Sequence, residues 1–338
     1  MKCNVIADLQ ATLLLLLVAL AASAQKPTSW ADSSPHRVQF LPVEENVRLE
    51  VLDWGGSGPS LVLLTGSGNT AHVFDDFAPG LTGRCHVYGI TRRRYSASSR
   101  PESGYTSERL GDDVLAMLDA LHLTAPVLAG HSMGGQEMTA LASAHPHRIA
   151  GLVYMDATAD PTADWKPYEE AHRKLPAAMT PRPPSTDDLK SFQAFRDWRM
   201  RTQGITFPES ELRNCFAAGP DGTVGRYGTP TSVRDAIHAG ARKPDFSRVR
   251  VPVLALVTLP MPLEGQLKRY TPQNAEERAS IEHAYAVDLD FAKKTIADVR
   301  SGVPDARIVE LAGAHHYVFL SNEADVLREV RAFLAHVK

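Results

Sequence analysis

One short stretch decides the fold: Leu128-Ala129-Gly130-His131-Ser132-Met133-Gly134-Gly135. It contains the pattern G-x-S-x-G between a strand-like run, residues 126–129, and a helix-forming run, residues 136–142. In a strand–turn–helix unit, this pattern places the serine on a sharp elbow with its hydroxyl exposed in a cleft. The flanking glycines are needed because strand and helix approach each other too closely for side chains. The context therefore predicts that Ser132 is a nucleophile.

Length and composition indicate an ordinary globular protein. The chain has 338 residues, which suffices for one large domain or for a core domain with an insertion. Hydrophobic residues make up 43% and charged residues 22%, so a buried core is expected rather than disorder. The formal net charge is −3, and the sequence has no dense block of Lys and Arg. These features argue against nucleic acid or an anionic membrane as a partner.

The N-terminus has the features of a targeting segment. Lys2 precedes an apolar run at residues 11–22, and Ala22-Ser23-Ala24 fits the small-x-small cleavage rule. We therefore predict a signal peptide over residues 1–24 and export to a periplasm or to the outside. Because the run is short for a membrane span, we expect no stable span after cleavage, although an uncleaved anchor is the alternative.

Strand and helix patterns alternate from about residue 36. Period-two alternation at residues 37–43 and 47–52 predicts an antiparallel edge pair. Helical patterns are clearest at residues 107–123 and 323–337. This alternation predicts an α/β fold with a doubly wound, mostly parallel, eight-stranded sheet flanked by helices. Continuous apolar runs, which are typical of parallel strands buried on both faces, occur at residues 61–64, 86–90, 126–129, 149–155, 251–257 and 307–311.

The alternation stops between residues 160 and 248. This stretch is rich in Pro, Trp and charged residues and shows no convincing strand. We predict a helical cap inserted at residues 160–245 into a core made of residues 25–159 and 246–338. Large side chains in the cap could line a cavity, or they could pack the cap against itself. They are Phe192, Phe195, Trp198, Met200 and Phe216.

A serine hydroxyl needs an adjacent base, and in the hydrolase layout the chain order is Ser, acid, His. The segment Gly313-Ala314-His315-His316 follows the last predicted strand and precedes the last helix. Together with the stretch around Ser132, it resembles the α/β-hydrolase fold superfamily over almost the whole mature chain apart from the cap. In such enzymes the base typically stands in a G-x-G-H pattern. The resemblance makes His316 the base and His315 its neighbour on the loop, although either could meet the geometric role.

The resemblance also implies an oxyanion hole of two backbone N–H groups. One belongs to Met133, which follows the nucleophile. The other comes from the loop after the strand at residues 61–64, where Thr65-Gly66-Ser67-Gly68-Asn69 stands in place of the usual His-Gly-x. The match implies the N–H of Ser67 as the second donor.

The triad acid has two candidates. Relatives most often carry an Asp after the strand that here covers residues 251–257, but this chain has only Glu264 there. Asp156 ends the preceding strand, and some haloalkane dehalogenases of the same superfamily keep their triad acid at that position. Asp156 is the favoured acid and Glu264 the alternative, while a third possibility is that neither serves. Asp156 could instead cap the segment that follows it.

Three other features of the sequence are interpreted without a catalytic role. Arg92-Arg93-Arg94 follows a strand and is interpreted as a solvated loop. His131 is expected to pack away from the cleft. Cys85 and Cys215 could pair after export, but a domain of this size does not need a disulfide.

The sequence therefore predicts a secreted serine hydrolase that acts on a small-molecule ester through an acyl-serine intermediate, with a triad of Ser132, His316 and Asp156. No metal or organic cofactor is required. Serine in place of aspartate argues against dehalogenases and epoxide hydrolases. Other serine hydrolase types are alternatives: aminopeptidases, thioesterases and carbon–carbon hydrolases. A non-catalytic binding protein on the same fold is a further alternative.

Overall fold

A central β-sheet contains every predicted strand. The computed structural model describes residues 30–337, so the predicted signal peptide at residues 1–24 lies outside the described residues. The strands in the described part are β1 (Arg37–Glu44), β2 (Val47–Gly55), β3 (Ser60–Leu64), β4 (His86–Thr91), β5 (Val127–His131), β6 (Gly151–Met155), β7 (Phe216–Ala218), β8 (Val224–Tyr227), β9 (Val253–Leu259) and β10 (Arg307–Ala312).

Eight of these strands form one sheet in the order β1-β2-β4-β3-β5-β6-β9-β10. Strand β2 runs antiparallel to both of its neighbours, and every other pairing in the sheet is parallel. The nonconsecutive order requires crossovers, which helices provide. This topology confirms the predicted fold class.

Helices cover both faces of the sheet. Along β5, Leu128 packs in one core cluster with side chains of the helices at residues 107–120, 134–144 and 275–302. Val127 and Ala129 pack in the other cluster with side chains of the helix at residues 323–334. The period of two in a strand explains this division. The α-helices within residues 30–337 are α1 (Ser107–Ala120), α2 (Gly134–Ala144), α3 (Lys166–Arg173), α4 (Thr186–Leu189), α5 (Phe192–Gln203), α6 (Glu209–Cys215), α7 (Thr231–Gly240), α8 (Leu263–Arg269), α9 (Ala275–Gly302), α10 (Val318–Ser321) and α11 (Glu323–Leu334).

The region predicted as a cap, residues 160–245, contains helices α3 to α7 between β6 and β9. It also contains a two-stranded antiparallel sheet of β7 and β8, so the expectation that this region has no strand is wrong. Strands of three and four residues are too short to produce a readable alternation.

The longest helix, α9, lies between β9 and β10 and spans 28 residues. The sequence analysis did not predict it. Its buried residues are few for its length: Ile281, Ala284, Ala292, Thr295, Ile296 and Val299.

Residues 34–337 form one compact unit, and within residues 30–337 no helix has both the length and the apolar character needed to cross a membrane.

Candidate active site

The nucleophile elbow is strained where the sequence pattern requires it. Ser132 joins β5 to α2 and has a φ of 51°, in the left-handed region that L-residues other than Asn and Asp seldom adopt. Such strain is found mainly at functional sites, because the surrounding structure must maintain it. Met133 follows as the N-cap of α2, so the N-terminus of the helix lies directly beside the serine.

Two glycines of the elbow have no room for a side chain. A Cβ on Gly130 would lie 2.8 Å from the carbonyl carbon of Gly134, and a Cβ on Gly134 would lie 2.7 Å from the carbonyl oxygen of Leu64. Each of these neighbours is backbone, which cannot turn aside as a flexible side chain can. The G-x-S-x-G pattern therefore reflects close packing of α2 against β3 and β5.

His316 lies on the loop between β10 and α10 and is hydrogen-bonded to Asp156. Its Nδ1 is 2.6 Å from Oδ2 of Asp156. The other carboxylate oxygen, Oδ1, accepts hydrogen bonds from the backbone N–H and the hydroxyl of Thr258, both at 3.0 Å. When Nδ1 donates to Asp156, a neutral imidazole carries its lone pair on Nε2, which is the tautomer a general base needs.

Strand register explains why Asp156 is close to the elbow. His131 and Met155 are paired across β5 and β6, so Ser132 and Asp156 follow the ends of adjacent parallel strands. Asp156 has a φ of 50°, and its backbone N–H donates to the carbonyl of Leu256 on the neighbouring strand β9 (2.8 Å).

The structure does not bring the alternative acid, Glu264, to the base. Glu264 is exposed in the first turn of α8, and it does not line the cavity that contains Ser132 and His316. The alternative base, His315, is also oriented differently. Its Nδ1 accepts from the backbone N–H of Tyr317 (3.1 Å), so this nitrogen is engaged within its own loop.

The loop expected to supply the second oxyanion donor passes directly over the elbow. A Cβ on Gly66 would lie 3.1 Å from Cβ of Ser132. Ser67 and Met133, the two residues expected to donate, both line the same cavity as Ser132. The structure thus brings together Ser132, His316, Asp156, Ser67 and Met133 around one cavity.

Arg92 fixes this loop from below. Its guanidinium donates to the carbonyl oxygens of Thr65 (2.8 Å) and Gly66 (3.2 Å), and its Nε is paired with Glu137 in the first turn of α2. The interpretation of the Arg92-Arg93-Arg94 run as a solvated loop is wrong for its first two members. Arg92 is 4% exposed and Arg93 is 1% exposed, because each is paired with a buried acid that the local sequence does not reveal.

His131 supports the loop of the base. Its ring packs against the rings of His316 and Tyr317 at centroid distances of 4.7 and 4.6 Å. Burial lowers the pKa of His131 well below its ordinary value, and the nearby His316 contributes to the same shift. The neutral ring donates from Nε2 to the backbone carbonyl of His316 (3.1 Å). His131 packs away from the cleft as expected, but its contact with the base was not foreseen.

The cavity that contains these residues, here called the main cavity, has a volume of about 600 Å³. Trp165 and Tyr168 from the start of α3 and Phe291 from α9 form an aromatic wall, with ring centroids 4.7 Å apart between Trp165 and Phe291. Burial raises the pKa of Tyr168 to about 12, aided by Asp288 and Asp156. None of the five large cap side chains suggested as walls lines the main cavity.

Those five side chains have other places. Phe192 and Phe195 are buried in the hydrophobic core, with Trp198 packed against it, and Met200 is 51% exposed. Phe216 lines a second cavity of about 240 Å³, here called the second cavity. The cap therefore contributes walls through residues that the sequence pattern did not single out.

Two further groups of residues bear on cofactors and disulfides. The ligand-type atoms of His36, His72 and Asp75 lie within 4.8 Å of one another, but hydrogen bonds already join both histidines to Asp75. This cluster lines neither of the two cavities described above. Cys85 and Cys215 are both buried as free thiols, so the structure does not join them.

Comparison with known proteins agrees with the fold. Residues 59–213 match the family model described as the α/β hydrolase fold. The solved structure of E-2-(acetamidomethylene)succinate hydrolase has a TM-score of 0.65 with this chain at 18% sequence identity, and the match covers 89% of this chain and 99% of that one. At this identity, the likeness shows the fold.

Two curated hydrolases match shorter parts of the chain. A 2-(acetamidomethylene)succinate hydrolase from Mesorhizobium japonicum is 26% identical over 161 residues, which covers 47% of this chain and 53% of the relative. Esterase Rv0045c from Mycobacterium tuberculosis is 33% identical over 122 residues, which covers 35% of this chain and 40% of the relative. This chain thus spans about half the length of these relatives or less, and both of them are hydrolases.

Proposed function

Because this chain belongs to the α/β-hydrolase fold superfamily, we propose that it is a serine hydrolase that cleaves carboxylic esters through an acyl-serine intermediate. The observation that carries the proposal is the 2.6 Å contact between His316 Nδ1 and Asp156 Oδ2 beside the cavity that contains Ser132. The pairing supports a base with the correct tautomer, which a serine nucleophile needs.

The first half-reaction forms the acyl-enzyme. Ser132 Oγ attacks the ester carbonyl while its proton passes to Nε2 of His316, and Asp156 stabilises the resulting imidazolium. The backbone N–H groups of Ser67 and Met133 stabilise the oxyanion of the tetrahedral intermediate. The intermediate then collapses, the carbon–oxygen bond to the alcohol breaks, and His316 returns its proton to the leaving alkoxide.

The second half-reaction is hydrolysis of the acyl-enzyme. A water molecule gives a proton to His316 and attacks the acyl carbon, and a second tetrahedral intermediate forms at the same position. Its collapse releases the carboxylic acid, and the proton on His316 goes back to Ser132 Oγ. Every proton taken up by His316 is thus returned within its half-reaction.

The absence of an Asp directly after β9 favours the alternative that the protein only binds a ligand. The contact between Asp156 and His316 supports the esterase proposal instead, because it offers an acid from the end of β6. The aromatic wall of Trp165, Tyr168 and Phe291 favours a small-molecule substrate with an apolar part.

We also propose, on the sequence of residues 1–24, that the protein is exported. N-terminal sequencing after export would test cleavage before Gln25.

A steady-state assay tests the proposed activity. Purified protein is incubated with para-nitrophenyl acetate and butyrate, and Ser132→Ala serves as the blank. The proposal predicts turnover by the native protein, with the variant reduced by about 10³-fold or more because its nucleophile is removed. Equal rates for native protein and Ser132→Ala would refute the assignment of Ser132, and no hydrolysis by either would refute esterase activity.

A further inference from the structure

The second cavity borders the loop at residues 65–69, here called the oxyanion loop, because Gly68 and Asn69 line it. Ser67 lines both cavities, so a substrate that reaches from one to the other passes this residue. The walls of the second cavity come from both core and cap, including Tyr95 after β4 and Arg199 on α5. This placement makes the second cavity a candidate for holding the part of a substrate remote from Ser132.

Three residues that line the second cavity each have a buried polar atom without a hydrogen-bond partner. These atoms are Oγ of Ser67, Oη of Tyr95 and Nε of Arg199, and no residue within 30–337 pairs with any of them. The Tyr95 side chain is almost completely buried, with 1% of the residue exposed. An unpaired buried polar group costs about 1–3 kcal/mol, so three beside one cavity need an explanation. A ligand with hydrogen-bond acceptors would satisfy all three.

Arg199 also lacks an acidic partner, unlike the buried arginines of the core. Arg92 and Arg93 are paired with Glu137 and Asp113, whereas Arg199 has no carboxylate within 4.0 Å among residues 30–337. Its Nη1 donates to Gln203 Oε1 (3.3 Å), and its guanidinium packs on the rings of Phe195 and Phe207, at 5.4 and 4.6 Å from their centroids. Burial lowers the pKa of Arg199, but an arginine remains charged.

Glu211 lines the same cavity, where its charge acts on Arg199, and its carboxylate is already hydrogen-bonded to neighbouring residues. It is 1% exposed, and its carboxylate accepts hydrogen bonds from Asn69 Nδ2 (2.7 Å) and Thr70 Oγ1 (2.5 Å). Arg234, which is exposed, lines the cavity as well and has no ion pair in the described part of the chain. Two cations without carboxylate partners thus face a cavity that also holds unpaired hydroxyl groups.

We propose that the second cavity is a carboxylate-binding subsite, and that the substrate is an ester carrying a free carboxylate, such as a monoester of a short dicarboxylic acid. The inference rests on the proposed esterase function. The carboxylate accepts from Arg199 and from the hydroxyls of Ser67 and Tyr95, while the ester group lies at Ser132 in the main cavity. Ser67 then serves both ends of the substrate, with its backbone N–H at the oxyanion and its hydroxyl at the carboxylate.

A matched pair of substrates tests the subsite. Para-nitrophenyl hydrogen glutarate carries the carboxylate, and its methyl ester at the far end removes only that charge. We expect kcat/KM of the native protein to be about tenfold or more higher for the charged substrate, as for a charge-assisted hydrogen bond. In Arg199→Gln the ratio falls to about one, and in Arg199→Lys it stays between these values because the charge is kept.

The control is Arg201→Gln, which removes the same charge from the same helix. Arg201 is exposed and paired with Asp188, outside both cavities, so this variant should keep the native ratio. A native ratio near one, or the same ratio in Arg199→Gln as in native protein, would overturn the proposal. A fall in Arg201→Gln equal to that in Arg199→Gln would overturn it too, because the effect would then be general attraction.

A binding measurement separates this proposal from the esterase proposal. In the Ser132→Ala background, calorimetry should show binding of glutarate that weakens about tenfold or more when Arg199→Gln is added. If no ester is hydrolysed but glutarate binds through Arg199, the esterase proposal fails and the subsite stands. If neutral esters are hydrolysed but glutarate binding is absent or independent of Arg199, the subsite fails and the esterase proposal stands.

Discussion

The floor and the roof of the main cavity are built by different means. The floor consists of Ser132, Asp156 and Ser67, which follow the ends of β5, β6 and β3, so strand pairing fixes their relative positions. The roof consists of Trp165, Tyr168 and Phe291, which come from helices far apart in sequence. These helices meet through ring contacts and through the pair of His172 with Asp288 (3.3 Å). The comparison teaches that strand pairing fixes the positions of the proposed catalytic groups, whereas contacts between side chains fix the aromatic wall proposed to select a substrate.

The largest expected effect concerns the acid of the floor. Asp156→Asn should lower kcat by about 10⁴-fold, because the amide no longer holds the imidazole in the tautomer that accepts the serine proton. The matched control is Glu264→Gln, the same chemical change at the exposed alternative acid. Steady-state kinetics on a para-nitrophenyl ester measure both. Native kcat in Asp156→Asn, or an equal loss in Glu264→Gln, would contradict the assignment.

A second substitution tests whether Arg92 stabilises the oxyanion loop below the floor. Arg92→Met leaves Glu137 buried without its partner and removes the hydrogen bonds that Arg92 donates to two carbonyl oxygens of the oxyanion loop. The free energy of unfolding should therefore fall by about 3–5 kcal/mol. Urea denaturation measures the change. Arg94→Met, in the next but one position, removes an arginine paired with exposed Glu102 and should leave the midpoint unchanged. Similar midpoints for both variants would show that Arg92 does not support the loop.

The roof should affect selectivity more than rate. Phe291→Ala removes part of the aromatic wall, so kcat/KM for an octanoyl ester should fall about tenfold while that for an acetyl ester changes little. Met200→Ala is the control, since this exposed cap residue lines neither cavity. The ratio of the two kcat/KM values is the quantity to compare. A changed ratio in Met200→Ala, with a native ratio in Phe291→Ala, would place the wall elsewhere.

The last expected effect concerns stability rather than activity and lies at the contact between core and cap. Asp75 accepts a hydrogen bond from Ser210 of the cap (2.5 Å) and pairs with His72 (3.2 Å). Burial lowers the pKa of His72, but hydrogen bonds and charge attraction from Asp75 and Glu50 outweigh it and raise the pKa to about 10. Since the folded pKa is above the ordinary value, this stabilisation is complete below about pH 6.5 and is lost as pH rises to 10.

Thermal unfolding at several pH values tests this contact. Between about pH 7 and pH 10.5, a range that includes the raised pKa, Tm of the native protein should fall as His72 loses its proton. In a chain of this size, each kcal/mol of stability lost should lower Tm by about 2–4 °C or less. His72→Gln should show a shallower fall because it has no proton to lose. Parallel curves for the two proteins would mean that His72 does not carry the pH dependence.

Much of the floor was predictable because its signals are local. Continuous apolar runs mark the buried strands, and the glycines around Ser132 mark the elbow, since each reflects a steric requirement of neighbouring residues. The acid remained ambiguous because the choice between Asp156 and Glu264 depends on how far each lies from His316. That distance follows from the pairing of β6 with β5 and β9, which no single segment encodes.

The roof and the second cavity were not predictable because the residues that form them lie far apart in the sequence. Arg92 resembles a solvated charge until Glu137, 45 positions later, is seen beside it. Helix α9 buries few of its 28 residues, so its apolar pattern is faint, yet it supplies Phe291 to the main cavity. Arg199 also resembles an ordinary surface cation, and what distinguishes it is its burial among residues 30–337 without an ion pair.

Peptide mapping after reaction with a fluorophosphonate probe tests the central claim most directly. The probe bonds covalently to a serine that its own base activates, and mass spectrometry of the digested protein locates the adduct. We predict a single adduct on the peptide containing Ser132, which is lost in His316→Ala and retained in His315→Ala. An adduct on another serine, or none on native folded protein, would contradict the account.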